Sequence, residues 1–129
     1  MSTTGNFYEK ADEVQKPLII LNMLKINYLK EEDQLICTFS GHLGGEVCEK
    51  LATNIDQRLT QIKENRTDPD QLQVIFDLAE VSYIASSYIR ICMSTAKKLK
   101  PGNFSIINCN PFIKKTLKIV GLDDMLNVR

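Results

Sequence analysis

The sequence predicts a single α/β domain: a mixed, mostly parallel β-sheet of about four to five strands with helices packed against it. Length and composition give the first reason, since 129 residues with 43% hydrophobic content suffice to close one core without disulfides or metal. Strand-like apolar runs alternate along the chain with segments whose apolar residues recur at helical spacing. Their order, strand, strand, helix, strand, helix, strand, helix, sets two crossover connections after one antiparallel pair. That requires a parallel centre, and right-handed crossovers fix where the helices pack.

Residues 1–16 are polar, carry Gly5 and scattered charges, and show no sustained period, so they read as a flexible N-terminal extension to a domain spanning 17–129. After Pro17 comes the short apolar run Leu18-Ile19-Ile20-Leu21. Leu24, Ile26 and Tyr28 then alternate with Lys25 and Asn27, the period of a strand with one buried face. Lys30-Glu31-Glu32-Asp33 supplies a charged turn, and Leu35, Cys37 and Phe39 alternate next, which predicts an antiparallel pair. Beyond the loop Ser40-Gly41-His42-Leu43-Gly44-Gly45, residues Val47, Leu51, Ile55, Leu59 and Ile62 line one face of a helix. The helix stops before Asn65-Arg66-Thr67-Asp68-Pro69, where the residue preceding proline disfavours helical geometry. Leu72, Val74, Ile75, Phe76 and Leu78 form a dense run that predicts a central strand covered on both sides.

From Ser86 the residues Ile89, Cys92, Met93, Ala96 and Leu99 return to helical spacing, until Pro101-Gly102 ends the helix. Phe104-Ser105-Ile106-Ile107-Asn108-Cys109 is another strand. Asn110 before Pro111 makes an N-cap and first-turn pair, opening a helix with Phe112, Ile113, Thr116, Leu117 and Val120 inward. Gly121 ends it, and Leu122 to Leu126 form a final docking turn.

Charge and cysteine usage narrow the function classes. Net charge is zero, so general nucleic-acid binding gets no support, yet residues 1–82 hold 14 acidic against 8 basic side chains while residues 83–129 hold 2 against 8. Such asymmetry can steer a charged partner toward one face. Cys37, Cys48, Cys92 and Cys109 stand far apart within apolar patterns, as buried thiols do in a reducing compartment. With no apolar run of membrane-spanning length and no basic-then-apolar start, the expected location is cytoplasmic.

Gly41, Gly44 and Gly45 match neither phosphate-cradling glycine spacing, and no cofactor is expected. Cys37, His42 and Cys48 lack the close cysteine pair of a metal site, and no metal is expected either. A Ser-His-Asp triad would need Ser86 or Ser87, His42 and Asp77 to converge without a nucleophile elbow around either serine; the chain is read as no enzyme. Asp77, near the end of a buried strand, either braces a loop or faces a partner. Ser86 stands where a strand hands over to a helix, so its hydroxyl either caps a helix beginning at Ser87 or meets unpaired amides that suit a phosphate. The sequence leaves both uses open.

The segment Val74-Ile75-Phe76-Asp77-Leu78-Ala79-Glu80-Val81-Ser82-Tyr83-Ile84-Ala85-Ser86-Ser87 resembles the central signature of STAS domains, the family of bacterial anti-sigma factor antagonists. Lys97 to Asn108 and Ile113 to Asp123 are similar to the family's second helix with fourth strand and to its last helix, and the likeness covers nearly everything after Lys25. It implies a STAS-like fold and a switch protein. The unmodified antagonist binds an anti-sigma factor serine kinase, phosphorylation by that kinase ends the complex, and a serine phosphatase resets it; ATP and metal belong to those partners. The family's acceptor, the first serine of Asp-Ser-Ser/Thr-Gly, falls on Ser86. Three positions depart from the pattern: Ala85 stands for the acidic residue before the acceptor, Tyr88 for the glycine after the serine pair, and Gly44 for an acidic residue in the loop after the second strand. On this reading Ser86 is the phosphorylation site, while His42, Gly44, Asp77, Ala85, Ser87, Tyr88 and Arg90 contact the partner. The alternative is a STAS scaffold that is never phosphorylated and binds a regulator, or a second copy as a homodimer, constitutively.

Overall fold

Two strands that alternate buried and open residues, β1 (Leu24–Leu29) and β2 (Gln34–Leu43), pair antiparallel from Leu24↔Phe39 to Leu29↔Gln34. The computed structural model describes residues 22–129; the expectations for residues 1–16, for Pro17 and for the apolar run 18–21 lie outside them. The turn between the strands is closed by Asp33 in the left-handed region at φ 56°. Arg66 clasps that turn, donating to the Tyr28 hydroxyl at 2.8 Å and pairing with the Asp33 carboxylate.

The strand order is β1-β2-β3-β4, with β3 (Gln73–Ile84) parallel to β2 and β4 (Phe104–Ile107) parallel to β3. The predicted mixed sheet with a parallel centre is therefore present, with four strands among the described residues. Helix α1 (Glu46–Glu64) crosses from β2 to β3 and buries Cys48, Leu51, Ile55, Leu59 and Ile62. The phase is the predicted one, except that Cys48 rather than Val47 starts the buried row. Helix α2 (Ser86–Lys97) crosses from β3 to β4, and α3 (Pro111–Ile119) follows β4. The last residues return to the sheet, where Val128 bridges Ile106 and the Arg129 amide donates to its carbonyl at 2.9 Å.

One core cluster lies between the sheet and the helices. It joins Leu35, Cys37 and Phe39 of β2, Val74, Phe76 and Leu78 of β3, and Phe104 and Ile106 of β4 with buried residues of all three helices. Its centre is aromatic: Phe76 packs edge-on against Phe39 and Phe104 at centroid distances of 4.9 and 4.8 Å. Cys37, Cys48 and Cys92 are buried free thiols, and burial pushes the Cys37 thiol up to about 12. Cys109 is half-buried.

Four expectations about the elements are corrected. Both β2 and β3 run well past the residues read as their ends, to Leu43 and Ile84, because an extended pair stays in register by absorbing extra residues. Thr38↔Asp77 is followed by Ser40↔Glu80, and Gly41↔Val81 by His42↔Tyr83, so β3 carries two bulges. Next, β3 is not buried on both faces among the described residues: Val74, Phe76 and Leu78 are buried while Ile75 and Asp77 are half-buried. In α2 the buried face is Tyr88, Ile91, Cys92 and Thr95, one turn-phase away from the expected one, with Ile89, Met93 and Ala96 only flanking it. In α3, finally, only Ile113 and Leu117 are buried. Phe112 and Val120, expected inward, are 66% and 52% exposed, because a helix of little more than two turns lays a single i, i+4 pair on the core.

Candidate functional site

The carboxyl ends of β2 and β3 meet at a corner that is built by the bulges. The first places Leu78 and Ala79 opposite a single residue, and the Ala79 amide donates to the Asp77 Oδ1 at 3.0 Å. The second leaves Ser82 over, and its hydroxyl donates to the Gly41 carbonyl at 3.3 Å. Each extra residue shifts the phase of alternation, so the buried positions continue at Val81 and Ile84 and the strand bends as it reaches the rim. Its last backbone tie is from the Ala85 amide to the Leu43 carbonyl at 2.9 Å.

Helix α2 begins at once after that bond. Ala85 is its N-cap, in extended geometry at φ −94° and ψ 169°, and offers no side-chain bond. Ser86 is therefore the first helical residue, which sets aside the capping role, one of the two uses the sequence left open. Its side chain is exposed at the rim, Ser87 is half-buried and Arg90, one turn on, is exposed. The first amides of a helix have no intrahelical acceptor and carry the positive end of its dipole. Ser86 and Arg90 share a face, being four residues apart, and Arg90, Met93, Ser94, Lys97 and Lys98 line a shallow depression along it. The helix has no acidic residue in its first turn.

Gly44 and His42 complete the corner from the β2 side. A Cβ built on Gly44 would lie 3.3 Å from the Ala85 Cβ and 3.7 Å from the His42 ring, so small residues at both 44 and 85 let the two loops close against each other. His42 stacks on Tyr83, its neighbour across the β2–β3 pair, at 4.4 Å with planes 19° apart. Tyr83 is 41% exposed, and its place in this platform was missed in the sequence. The signal was there, in a tyrosine one residue from the end of a strand that itself was read too short.

Two residues expected here are elsewhere. Tyr88, expected at the partner surface, is fully buried: it packs edge-on against Phe39 at 5.1 Å and tilted over Phe76 at 6.3 Å. Burial pushes its hydroxyl well above the usual tyrosine range. The hydroxyl lies near the Cys92 thiol and yet meets no partner in normal hydrogen-bond geometry. Asp77 sits opposite Thr38 and Ile107, and its Oδ1 also accepts from the Asn108 amide group at 3.1 Å. Between the rows Thr38↔Asp77 and Leu43↔Ile84 the unbulged partner strand advances five residues, a rise of roughly 17 Å, so Asp77 braces the bulge and does not adjoin Ser86. For the same reason Ser86, His42 and Asp77 do not converge as a triad. Among the described residues no group of histidine, cysteine and carboxylate side chains is arranged to hold a metal, and no helix is long and apolar enough to cross a membrane.

The uncapped start of α2 gives a direct test of this geometry. Ala85→Asp should raise stability by about 1 kcal/mol, because an N-cap carboxylate accepts an otherwise free amide of the first turn. The check is a higher urea midpoint at unchanged slope. An unchanged or lower midpoint would mean that a carboxylate at 85 does not reach a first-turn amide without opening the contact with the Gly44 loop.

Comparison with known proteins agrees with this architecture. No curated protein matches the chain. Among solved structures, the anti-sigma factor antagonist SpoIIAA in its unphosphorylated form superimposes with a TM-score of 0.54 at 12% identity, covering 74% of this chain and 82% of its own. The Bacillus cell fate determinant SpoIIAA in the phosphorylated form superimposes with a TM-score of 0.56 at 12% identity, covering 82% and 90%. At that identity the likeness is one of fold. A family model for the STAS domain matches residues 19–129. The sheet order, the crossovers and that match together make this chain a member of the STAS domain family.

Proposed function

We propose that the chain is an anti-sigma factor antagonist-like switch, which binds a serine-kinase anti-sigma factor when unmodified and is released by phosphorylation at Ser86. A serine phosphatase would reset it. One observation carries the reading: an exposed seryl hydroxyl begins α2 at the carboxyl rim, with free helical amides behind it and, among the described residues, no hydrogen bond of its own. A side chain that caps nothing is free to be modified. Solved SpoIIAA, an anti-sigma factor antagonist, exists in unphosphorylated and phosphorylated forms, and that lends the reading a precedent on the same fold.

The electrostatics of the rim suit a switch. With Ala85 and Gly44 in place of acidic residues, the face of α2 that Ser86 shares with Arg90 and Lys97 carries basic side chains, and the first turn of the helix holds no acidic residue. A phosphoryl group brings about −1.5 to −2 charges and reverses the sign of that patch locally. The helix dipole offsets the change by only about 0.3–1 kcal/mol, so the fold tolerates the group while the contact surface does not. The unmodified face then suits an acidic surface on the partner, with Ser87, Gly44 and the His42–Tyr83 stack forming the rest of the contact.

Titration calorimetry with a cognate kinase tests the binding half. Ser86→Ala should keep the wild-type affinity within a few-fold, whereas Ser86→Asp should weaken it by roughly a hundredfold or more, since opposed like charges in a contact cost several kcal/mol. Equal affinity of the two variants would favour the constitutive scaffold instead.

A further inference from the structure

Exposed large apolar side chains cluster at one place in this domain. Of the five among the described residues, Phe112, Ile119, Val120 and Met125 belong to α3 and to the residues just after it, with Ile119 open to 73%. Each helical residue turns the chain by about 100°, which sorts α3 into three edges. Ile113 and Leu117 form the buried one. Phe112, Thr116, Ile119 and Val120, at i, i+4, i+7 and i+8, form an apolar edge beside it. Thr116 does not interrupt that edge, because its hydroxyl donates to the Phe112 carbonyl at 2.9 Å. Lys114, Lys115 and Lys118 form the third edge, and with Pro111, Asp123 and Val128 they line a depression of about 390 Å³. Lys115 also adjoins the apolar edge, one turn from both Phe112 and Ile119.

Apolar surface left open and rimmed by charge of one sign marks an interaction site. Helix α3 contains no acidic residue, and Asp123 is the one carboxylate at the depression, so the occupant is anionic as well as apolar. The ion pairs among the described residues are Arg66–Asp33 and Lys98–Asp56, which leaves the three lysines unpaired there. Long unpaired ammonium groups are not preorganised for one fixed set of carboxylates, and the apolar edge is convex, on the outside of a helix of little more than two turns. A fluid surface suits both features: lipid headgroups move to meet the lysines while the apolar side chains enter the acyl boundary. We propose that α3 is a docking face for an anionic membrane surface, with Phe112, Ile119 and Val120 as its anchors and Lys114, Lys115 and Lys118 as its headgroup contacts. Residues 83–129 hold 8 basic against 2 acidic side chains, an excess that turns this half of the molecule toward such a surface. Attachment of this kind is peripheral and reversible, and it does not rest on the reading of Ser86.

Vesicle co-sedimentation tests the proposal in the full chain. Phosphatidylcholine vesicles with about 30% phosphatidylserine should bind the protein at low ionic strength about tenfold or more better than phosphatidylcholine alone, and about 1 M salt should release it. The double variant Phe112→Ser, Ile119→Ser should lower the partition coefficient by about tenfold or more through lost apolar anchoring, and Lys118→Glu should do the same through charge. Lys50→Glu, an identical charge change on α1, should stay within about twofold of wild type, because it lies off the docking face. These substitutions replace exposed side chains and should keep the wild-type urea midpoint. Equal recovery of wild type with and without phosphatidylserine, or none with either, would overturn the proposal and leave the edge to an acidic protein surface. Phosphatidylserine-dependent binding that survives in the double variant and in Lys118→Glu would overturn it as well, by placing the membrane contact elsewhere on the chain.

Discussion

Replacing Tyr88 with alanine is expected to cost about 3–5 kcal/mol, the range for removing a large aromatic side chain from a packed core. The residue is fully buried between Phe39 and Phe76, in the layer on which the start of α2 rests. For a domain of this size such a loss lowers Tm by on the order of 15 °C. Tyr88→Phe should behave in the opposite sense and hold or raise stability by up to about 1 kcal/mol, because among the described residues the buried hydroxyl has only the Cys92 thiol beside it and no partner in normal hydrogen-bond geometry. Denaturant titration of both variants checks the pair of signs. If Tyr88→Ala is nearly neutral, the ring is not part of the core; if Tyr88→Phe is strongly destabilising, the hydroxyl has a partner.

That prediction concerns a position where glycine stands in the family pattern, and it shows how sequence and structure part company. As a sequence feature, a tyrosine beside the serine pair reads as a surface contact. In space the third residue of α2 points inward, with Ile91, Cys92 and Thr95 at helical spacing behind it. The polar atoms of Tyr88 and Thr95 masked a spacing as regular as the one chosen. Strong periodicity was legible throughout: the antiparallel β1–β2 pair, the long amphipathic α1, and the Asn110 cap, whose Oδ1 accepts from the Ile113 amide at 2.8 Å.

What was not legible was set by pairing between distant segments. The extension of β3 through Tyr83 to Ile84 depends on hydrogen bonds to Ser40, Gly41, His42 and Leu43, and bulges erase the period-2 signal that would have announced it. Asp77 was misplaced for that reason alone, since a strand thought to end near it continues seven residues further. Ser86 stands at the expected strand-to-helix corner, one position inside the helix: Ala85 holds the cap, which frees the serine hydroxyl from capping.

The largest functional effect should come from that hydroxyl. A dianionic group on Ser86 would stand on the same helix face as Arg90 and Lys97, at the positive end of the dipole of α2. The modified domain should therefore keep its fold, with a Tm within a few degrees of the unmodified one, while the kinase complex dissociates. Arg90→Glu should mimic part of this by reversing the charge one helical turn from Ser86, weakening the complex about tenfold or more. A variant that unfolds rather than dissociates would place the effect in the core instead of at the rim.

The account turns on whether Ser86 accepts phosphate. Intact-mass measurement of the full chain after incubation with a cognate serine kinase and ATP should show a single added phosphoryl group, absent in Ser86→Ala and present in Ser87→Ala. An unchanged mass with an active kinase, or a phosphate that persists in Ser86→Ala, would contradict it.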